Sequence, residues 1–170
     1  FDIAYLRPMP GVVLMSPRDC TELAKMLEFA VTLPGPSGIR YPRGGSSEDA
    51  DSPRTPIELG RSEVLKPGQE ATLLAYGPLC EQAMAAAAKL AAKGFDVEVI
   101  NARFVKPLDR AFILDRLQSR ELVVTIEEHS AIGGFGSAVL EAASEFTGQG
   151  RDLRARILVM GVPDRWIEHA

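Results

Sequence analysis

Two arginines three residues apart, Arg40 and Arg43, stand in the run Gly38-Ile39-Arg40-Tyr41-Pro42-Arg43-Gly44. A guanidinium presents a planar fork of donors that fits a phosphate or carboxylate in two-point contact. An apolar, β-prone start runs into both arginines, and Pro42 and Gly44 flank the second. An arginine placed so, at the end of a buried strand, can face a cleft. The plainer alternative is a surface salt bridge.

Three further groups carry chemistry of weaker specificity. Glu127-Glu128-His129 follows an apolar run, at the strand edge where open α/β sheets bind ligands. A carboxylate beside an imidazole can serve general acid–base catalysis. No nucleophile or metal-ligand spacing accompanies the trio, so a surface turn with solvated charges is the expectation. Gly133-Gly134-Phe135-Gly136 stands between a strand and a helix, where backbone amides can cradle an anion. It lacks the third glycine and the acidic ribose ligand of a dinucleotide fingerprint. Arg103 and Lys106 precede Pro107, which reads as a structural corner with a basic rim, and Asp109 falls in the first turn of the helix after it. His169, near the last residue, supports no reading.

The elements that position these residues alternate. Gly11 to Met15 is a short apolar run of the buried parallel-strand type. Ser16-Pro17-Arg18-Asp19 reads as a helix start with Ser16 as cap, and Leu23, Met26, Leu27 and Ala30 follow as one face. Leu33 to Pro36 stops that helix, and Ser37 to Tyr41 is the next strand. Residues 44–56 are Gly, Ser, Asp and Pro with no apolar periodicity, the composition of a linker. Ile57 to Leu65 reads as an irregular edge hairpin arm and Ala71 to Tyr76 as a buried strand. An Ala-rich helix runs to Lys93 and stops at Gly94. Val97 to Ile100 is a strand, Pro107 to Ser119 a helix, Leu122 to Ile126 a strand. A helix from Phe135 to Phe146 shows Val139, Leu140, Ala143 and Phe146 as its stripe, and Arg156 to Met160 closes the sheet. Strands alternating with helices make the class α/β with a mostly parallel sheet covered by helices.

Composition narrows the function. The 170 residues are 46% hydrophobic and 25% charged, with net charge −4, which suits a globular chain able to bury a core. The mild acidic excess offers no electrostatic footprint for nucleic acid or an anionic membrane. No apolar run approaches the ~20 residues that span a bilayer. Cys20 and Cys80 are the only cysteines; they form no disulfide framework or zinc pattern and read as reduced core residues of a cytoplasmic protein. The chain starts at Phe1 without Met and reads as a piece of a longer polypeptide.

Read in order, Phe1-Asp2-Ile3-Ala4-Tyr5-Leu6-Arg7, Ser16-Pro17-Arg18-Asp19, Ile39 to Gly44, Ala102-Arg103-Phe104-Val105-Lys106-Pro107-Leu108-Asp109, Glu127-Glu128-His129, Gly133 to Glu141 and Gly161 to His169 form a distinctive set. With that set the chain resembles the C-terminal portion of the 1-deoxy-D-xylulose-5-phosphate synthase family, thiamine-diphosphate enzymes of the transketolase superfamily. The resemblance implies that residues 1–45 are the end of a pyrimidine-binding domain, 46–56 a linker, and 57–170 a transketolase C-terminal-like domain.

It also implies a transferase reaction. Pyruvate and glyceraldehyde 3-phosphate condense with loss of CO2, on thiamine diphosphate and Mg2+, in a cytoplasmic homodimer whose product feeds isoprenoid, thiamine and pyridoxal synthesis. In such enzymes the arginine of the Tyr-Pro-Arg-Gly motif, here Arg43, grips the acceptor's phosphate. Arg40 then pairs structurally near the strand end, with Arg40 and Tyr41 as secondary site residues. The family's Mg2+-diphosphate ligands and its activating glutamate lie in sequence absent here. No catalytic or metal-ligating residue is therefore assigned, and this piece alone is expected to bind no cofactor and to be inactive. The resemblance assigns the Gly133 loop to domain packing. Transketolase itself, the β subunit of 2-oxo-acid dehydrogenases, and a non-catalytic dimerisation or regulatory domain are the alternatives.

Overall fold

The computed structural model describes residues 1–43, 54–164 and 166. Gly44, His169 and most of the expected linker lie outside the described residues; of 46–56 only Arg54, Thr55 and Pro56 are described. The elements in chain order are α1 (Asp2–Leu6), β1 (Val13–Met15), α2 (Cys20–Ala30), β2 (Ser37–Ile39), β3 (Glu63–Lys66), β4 (Ala71–Ala75), α3 (Leu79–Ala91), β5 (Val97–Asn101), β6 (Phe104–Lys106), α4 (Arg110–Ser119), β7 (Leu122–Ser130), α5 (Phe135–Gly148) and β8 (Arg156–Val162).

A five-stranded sheet of order β3-β5-β4-β7-β8 forms the larger layer. β4, β5, β7 and β8 run parallel, and β3 joins the β5 edge antiparallel. The alternation of strand residues sorts the core into two faces. Leu73, Ala75, Val99 and Val124 meet Cys80, Ala83 and Ala87 of α3. Leu74, Ile100 and Val123 meet Leu117 of α4 and Val139 and Phe146 of α5. The Ala surface of α3 lets that helix sit close on its sheet face. The expected arm from Ile57 to Leu65 is realised only as β3, which pairs with β5 and not with the next strand.

A three-stranded sheet of order β2-β1-β6 lies beside it. β1 and β2 are parallel, as a β-α-β unit requires, with Leu14 opposite Gly38 and Met15 opposite Ile39. β6 adds antiparallel to β1, with Met15 opposite Phe104. Fully buried Met15, Met26 and Phe104 fill the space beneath α2, and Phe29 meets Phe104 edge-on at 6.1 Å.

Several expectations are corrected. The chain does turn at Arg103, but that arginine is buried and not on a rim, Phe104–Lys106 form strand β6, and α4 begins at Arg110, not Pro107. The Asp109 carboxylate accepts from the Ser62 amide at 2.8 Å. The cap of α2 is Asp19, accepting from the Glu22 amide at 2.8 Å; the Ser16 hydroxyl is committed elsewhere. Leu27 and Leu140 stand 54% and 44% exposed, because Glu22 and Met26 turn inward on α2 and α5 buries Ala138, Val139 and Ala142. Cys80 lies in the core, whereas Cys20 is exposed at the start of α2.

Candidate functional site

β2 ends at Ile39, and the next residue is fixed on every side. The Arg40 amide donates to the Met15 carbonyl at 2.9 Å, and the Ser16 hydroxyl donates to the Arg40 carbonyl at 2.7 Å. The Arg40 side chain spans the two sheets: Nε stands 3.1 Å from Asp2 Oδ2, and Nη1 3.4 Å from Glu128 Oε2. Burial works to raise the Asp2 carboxyl, but the Arg40 guanidinium and the Ile3 amide together hold it below its usual range. Arg40 is thus an ion-pairing arginine at a strand end.

Tyr41, Pro42 and Arg43 then run out exposed. No described residue pairs with the Arg43 guanidinium, so its fork is available to solvent or a ligand. Beside Arg40 lies a pocket of about 70 Å³, lined by Asp2, Ile3, Leu14, Ile39 and Tyr76. The Tyr76 ring stacks on Phe135 at 5.2 Å. Its buried hydroxyl has no partner among the described residues, and burial pushes the phenol far up.

The trio Glu127-Glu128-His129 is not a surface turn. β7 continues through it to Ser130, which pairs with Val162 of β8, and Glu127 and His129 are each only 2% exposed. Glu127 accepts from the amides of Phe135 at 2.7 Å and Gly136 at 2.8 Å. The anion cradled by the glycine-rich start of α5 is therefore the protein's own carboxylate. A Cβ on Gly134 would sit 2.1 Å from Glu127 Oε2, which explains the glycine. Burial raises the Glu127 carboxyl against those two amides. His129 brings Nε2 to 3.9 Å from Asp2 Oδ1. Sequence carried one usable signal: a helix start rich in bare amides with a carboxylate on the strand just before it.

Arg103 is likewise misplaced by local reading. It is 1% exposed with φ +55. Nε bonds Glu22 Oε1 at 2.7 Å, and Nη2 stands 3.1 Å from Glu63 Oε1. Thr55 and Pro56 take the remaining guanidinium donors, and Asn101 also bonds Glu22. A buried charge is tolerable only when paired and fully hydrogen-bonded, and its partners arrive from three distant segments. Lys106 reaches back to the carbonyls of Arg7 and Met9.

The carboxyl edge of the larger sheet, where ligands of open α/β sheets bind, meets the protein's own chain here. Gly77, at φ +72, packs so tightly that a Cβ would lie 2.4 Å from Ser16 Oγ. Among the described residues no group of three or more His, Cys, Asp or Glu could hold a metal ion. No helix of the described residues is long and apolar enough to cross a membrane.

Comparison with known proteins agrees with this architecture. The chain is 44% identical over its whole length to 1-deoxy-D-xylulose-5-phosphate synthase of Synechococcus sp. (strain JA-3-3Ab), covering 26% of that protein. It is 46% identical over 99% of its length to the synthase of Pelotomaculum thermopropionicum, again 26% of the relative. The chain thus spans about a quarter of the length of the curated relatives it matches. A solved structure described as "Split gene transketolase, inactive beta4 tetramer" superposes with TM-score 0.85 and 35% identity, over 96% of this chain and 52% of that one. The family model of the transketolase C-terminal domain matches residues 60–170. With the helix-covered, mostly parallel sheet built by those residues, the chain belongs to the transketolase C-terminal domain family.

Proposed function

We propose that this chain is part of a thiamine-diphosphate-dependent transferase that condenses pyruvate with glyceraldehyde 3-phosphate, releasing CO2 and forming 1-deoxy-D-xylulose 5-phosphate. Arg43 binds the acceptor's phosphate in this reading, with Arg40 and Tyr41 beside it. The observation that carries it is the pairing of 44% identity along the whole chain with an exposed Arg43 that no described residue engages. Arg40, which has the same side chain, is held in ion pairs, so Arg43 is the fork left for a ligand. Thiamine diphosphate and Mg2+ belong to parts of the enzyme outside this chain, and the cofactor supplies the carbanion chemistry. The chain by itself is inactive, and the complete enzyme works as a cytoplasmic homodimer.

Replacement of Arg43 in the complete enzyme is the test. Arg43→Ala removes a charge-assisted contact worth ~1.5–3 kcal/mol, which is roughly tenfold to a hundredfold in affinity. KM for glyceraldehyde 3-phosphate should rise by that factor while KM for pyruvate stays constant. Arg43→Lys should rescue only in part, since an ammonium keeps the charge and loses the fork. Equal losses with phosphorylated and non-phosphorylated acceptors would make Arg43 structural.

The structural neighbour's description as a split-gene transketolase favours one second reading, a transketolase subunit. Release of CO2 from pyruvate by the complete enzyme selects the synthase; turnover of a ketose donor without CO2 selects transketolase.

A further inference from the structure

Glu128 belongs to β7 in the larger sheet, yet its carboxylate reaches across to Arg40 at the end of β2. We propose that Glu128 and Arg40 are positioning residues through which the transketolase C-terminal domain sets the direction of Arg43. The inference rests on the reading of Arg43 as the phosphate-binding arginine.

The geometry gives the path. Only Tyr41 and Pro42 separate Arg40 from Arg43, and the proline ring fixes one of the few torsions between them. The peptide of Arg40 is held at both ends, by the Met15 carbonyl at 2.9 Å and the Ser16 hydroxyl at 2.7 Å. Its side chain is held by Asp2 at 3.1 Å and Glu128 at 3.4 Å. Chain direction at the strand end is therefore fixed before Arg43 leaves the surface. A second contact from the same domain acts on the same peptide. Gly77 presses on Ser16, leaving no room for a Cβ, which would meet Ser16 Oγ at 2.4 Å. The larger domain thus touches Arg40 through its guanidinium and through the hydroxyl on its carbonyl. Holding a binding group in its productive orientation removes ordering that the ligand would otherwise impose on binding.

The domain has another bridge that serves as a control. Arg7 and Glu141 pair across the two layers at 2.6 Å through both guanidinium nitrogens. That pair docks the end of α1 on α5 and makes no contact with Arg40. If Glu128 merely docks the two parts, Glu141→Gln and Glu128→Gln should behave alike.

The experiment measures steady-state kinetics of the complete enzyme with glyceraldehyde 3-phosphate and with non-phosphorylated glyceraldehyde. Both charges of the Glu128–Arg40 pair are partly exposed, so the expected effect is modest. Glu128→Gln should raise KM for the phosphorylated acceptor roughly twofold to fivefold, with kcat, pyruvate KM and the non-phosphorylated acceptor unchanged. Glu128→Asp and Arg40→Lys should keep part of the effect of the native pair, and they supply the readout if Glu128→Gln is poorly folded. Glu141→Gln should leave the acceptor KM as it is. In an Arg43→Ala background Glu128→Gln should add nothing, because the arginine it orients is gone. A loss that persists in that background, or that Glu141→Gln reproduces, overturns the positioning role while leaving Arg43 as phosphate ligand. Equal losses of Arg43→Ala on both acceptors would remove the reading of Arg43 and this inference with it.

Discussion

Glu127 shows at the scale of one residue how this structure converts a candidate ligand site into a structural one. The amides at the start of α5 bind an anion, as helix N-termini do, and the anion is supplied by the adjacent strand. Glu127→Gln keeps the shape but faces one of the two amides with an NH2 group. The cost should be ~1–3 kcal/mol, read from urea unfolding at neutral pH. The pH dependence has a definite sign. Burial raises the folded-state carboxyl above its ordinary value of 4.5, so the folded state binds its proton more readily than the unfolded one. The contribution is fully present below 4.5 and is lost as pH rises through the folded value. The stability difference between wild type and Glu127→Gln should therefore move in favour of wild type as pH falls through that window. Movement in the other direction would mean that the two amides outweigh burial.

Among the elements, β6 couples the two sheets most directly. Its three residues follow β5 almost at once, yet they pair with β1 of the other sheet. Phe104 is fully buried there with Met15 and Met26. Removing a buried aromatic side chain leaves a cavity that the surroundings only partly fill. Phe104→Ala should cost ~3–5 kcal/mol in a chemical unfolding experiment. A cost under 1 kcal/mol would show that α2 collapses onto the gap or that the second sheet contributes little. The element also explains the left-handed backbone of Arg103. The chain must turn between β5 and β6 while Arg103 points inward to Glu22 and Glu63.

For the molecule as a whole, residues on either side of the expected linker form one joined structure. Arg7–Glu141, Arg40–Glu128 and Arg103–Glu22 bridge the two parts, and the Met15, Met26 and Phe104 cluster fills the space between α2 and β6. Cutting the chain at a protease site inserted within residues 44–53 should leave both pieces in one peak on size exclusion at physiological salt. Separate elution would mean that these contacts are too weak to hold without the connection. Residues 57–170 contain the complete five-stranded sheet and fall near ordinary domain size. We expect them to fold when expressed alone, at reduced stability, because Phe104 and Arg103 lose their partners on α2.

The sequence by itself determined the alternation of strands and helices and the α/β class, which rest on patterns within short stretches, and the family resemblance, which rests on the order of motifs along the chain. Val97 to Ile100, apolar but for Glu98, and Leu122 to Ile126, apolar but for Thr125, are rich in β-branched residues, and both are strands of the larger sheet. That Arg40 pairs near the strand end came only with the resemblance; its partners are Asp2 and Glu128. What only the tertiary structure decided lies where a side chain's partner comes from another segment. Arg103 carries no local mark of burial; Glu22 and Glu63, far away in the chain, make it possible. Leu27 looks apolar and inward by its spacing, yet α2 turns Glu22 into the structure to meet that arginine. Glu127 and His129 read as solvated charges until β7 is extended by its pairing with β8 and α5 brings its amides. Periodicity reports which face of an element is covered by its own sheet. It is silent about polar partners delivered across a second layer, and a charge is tolerated in the interior only where such partners meet it.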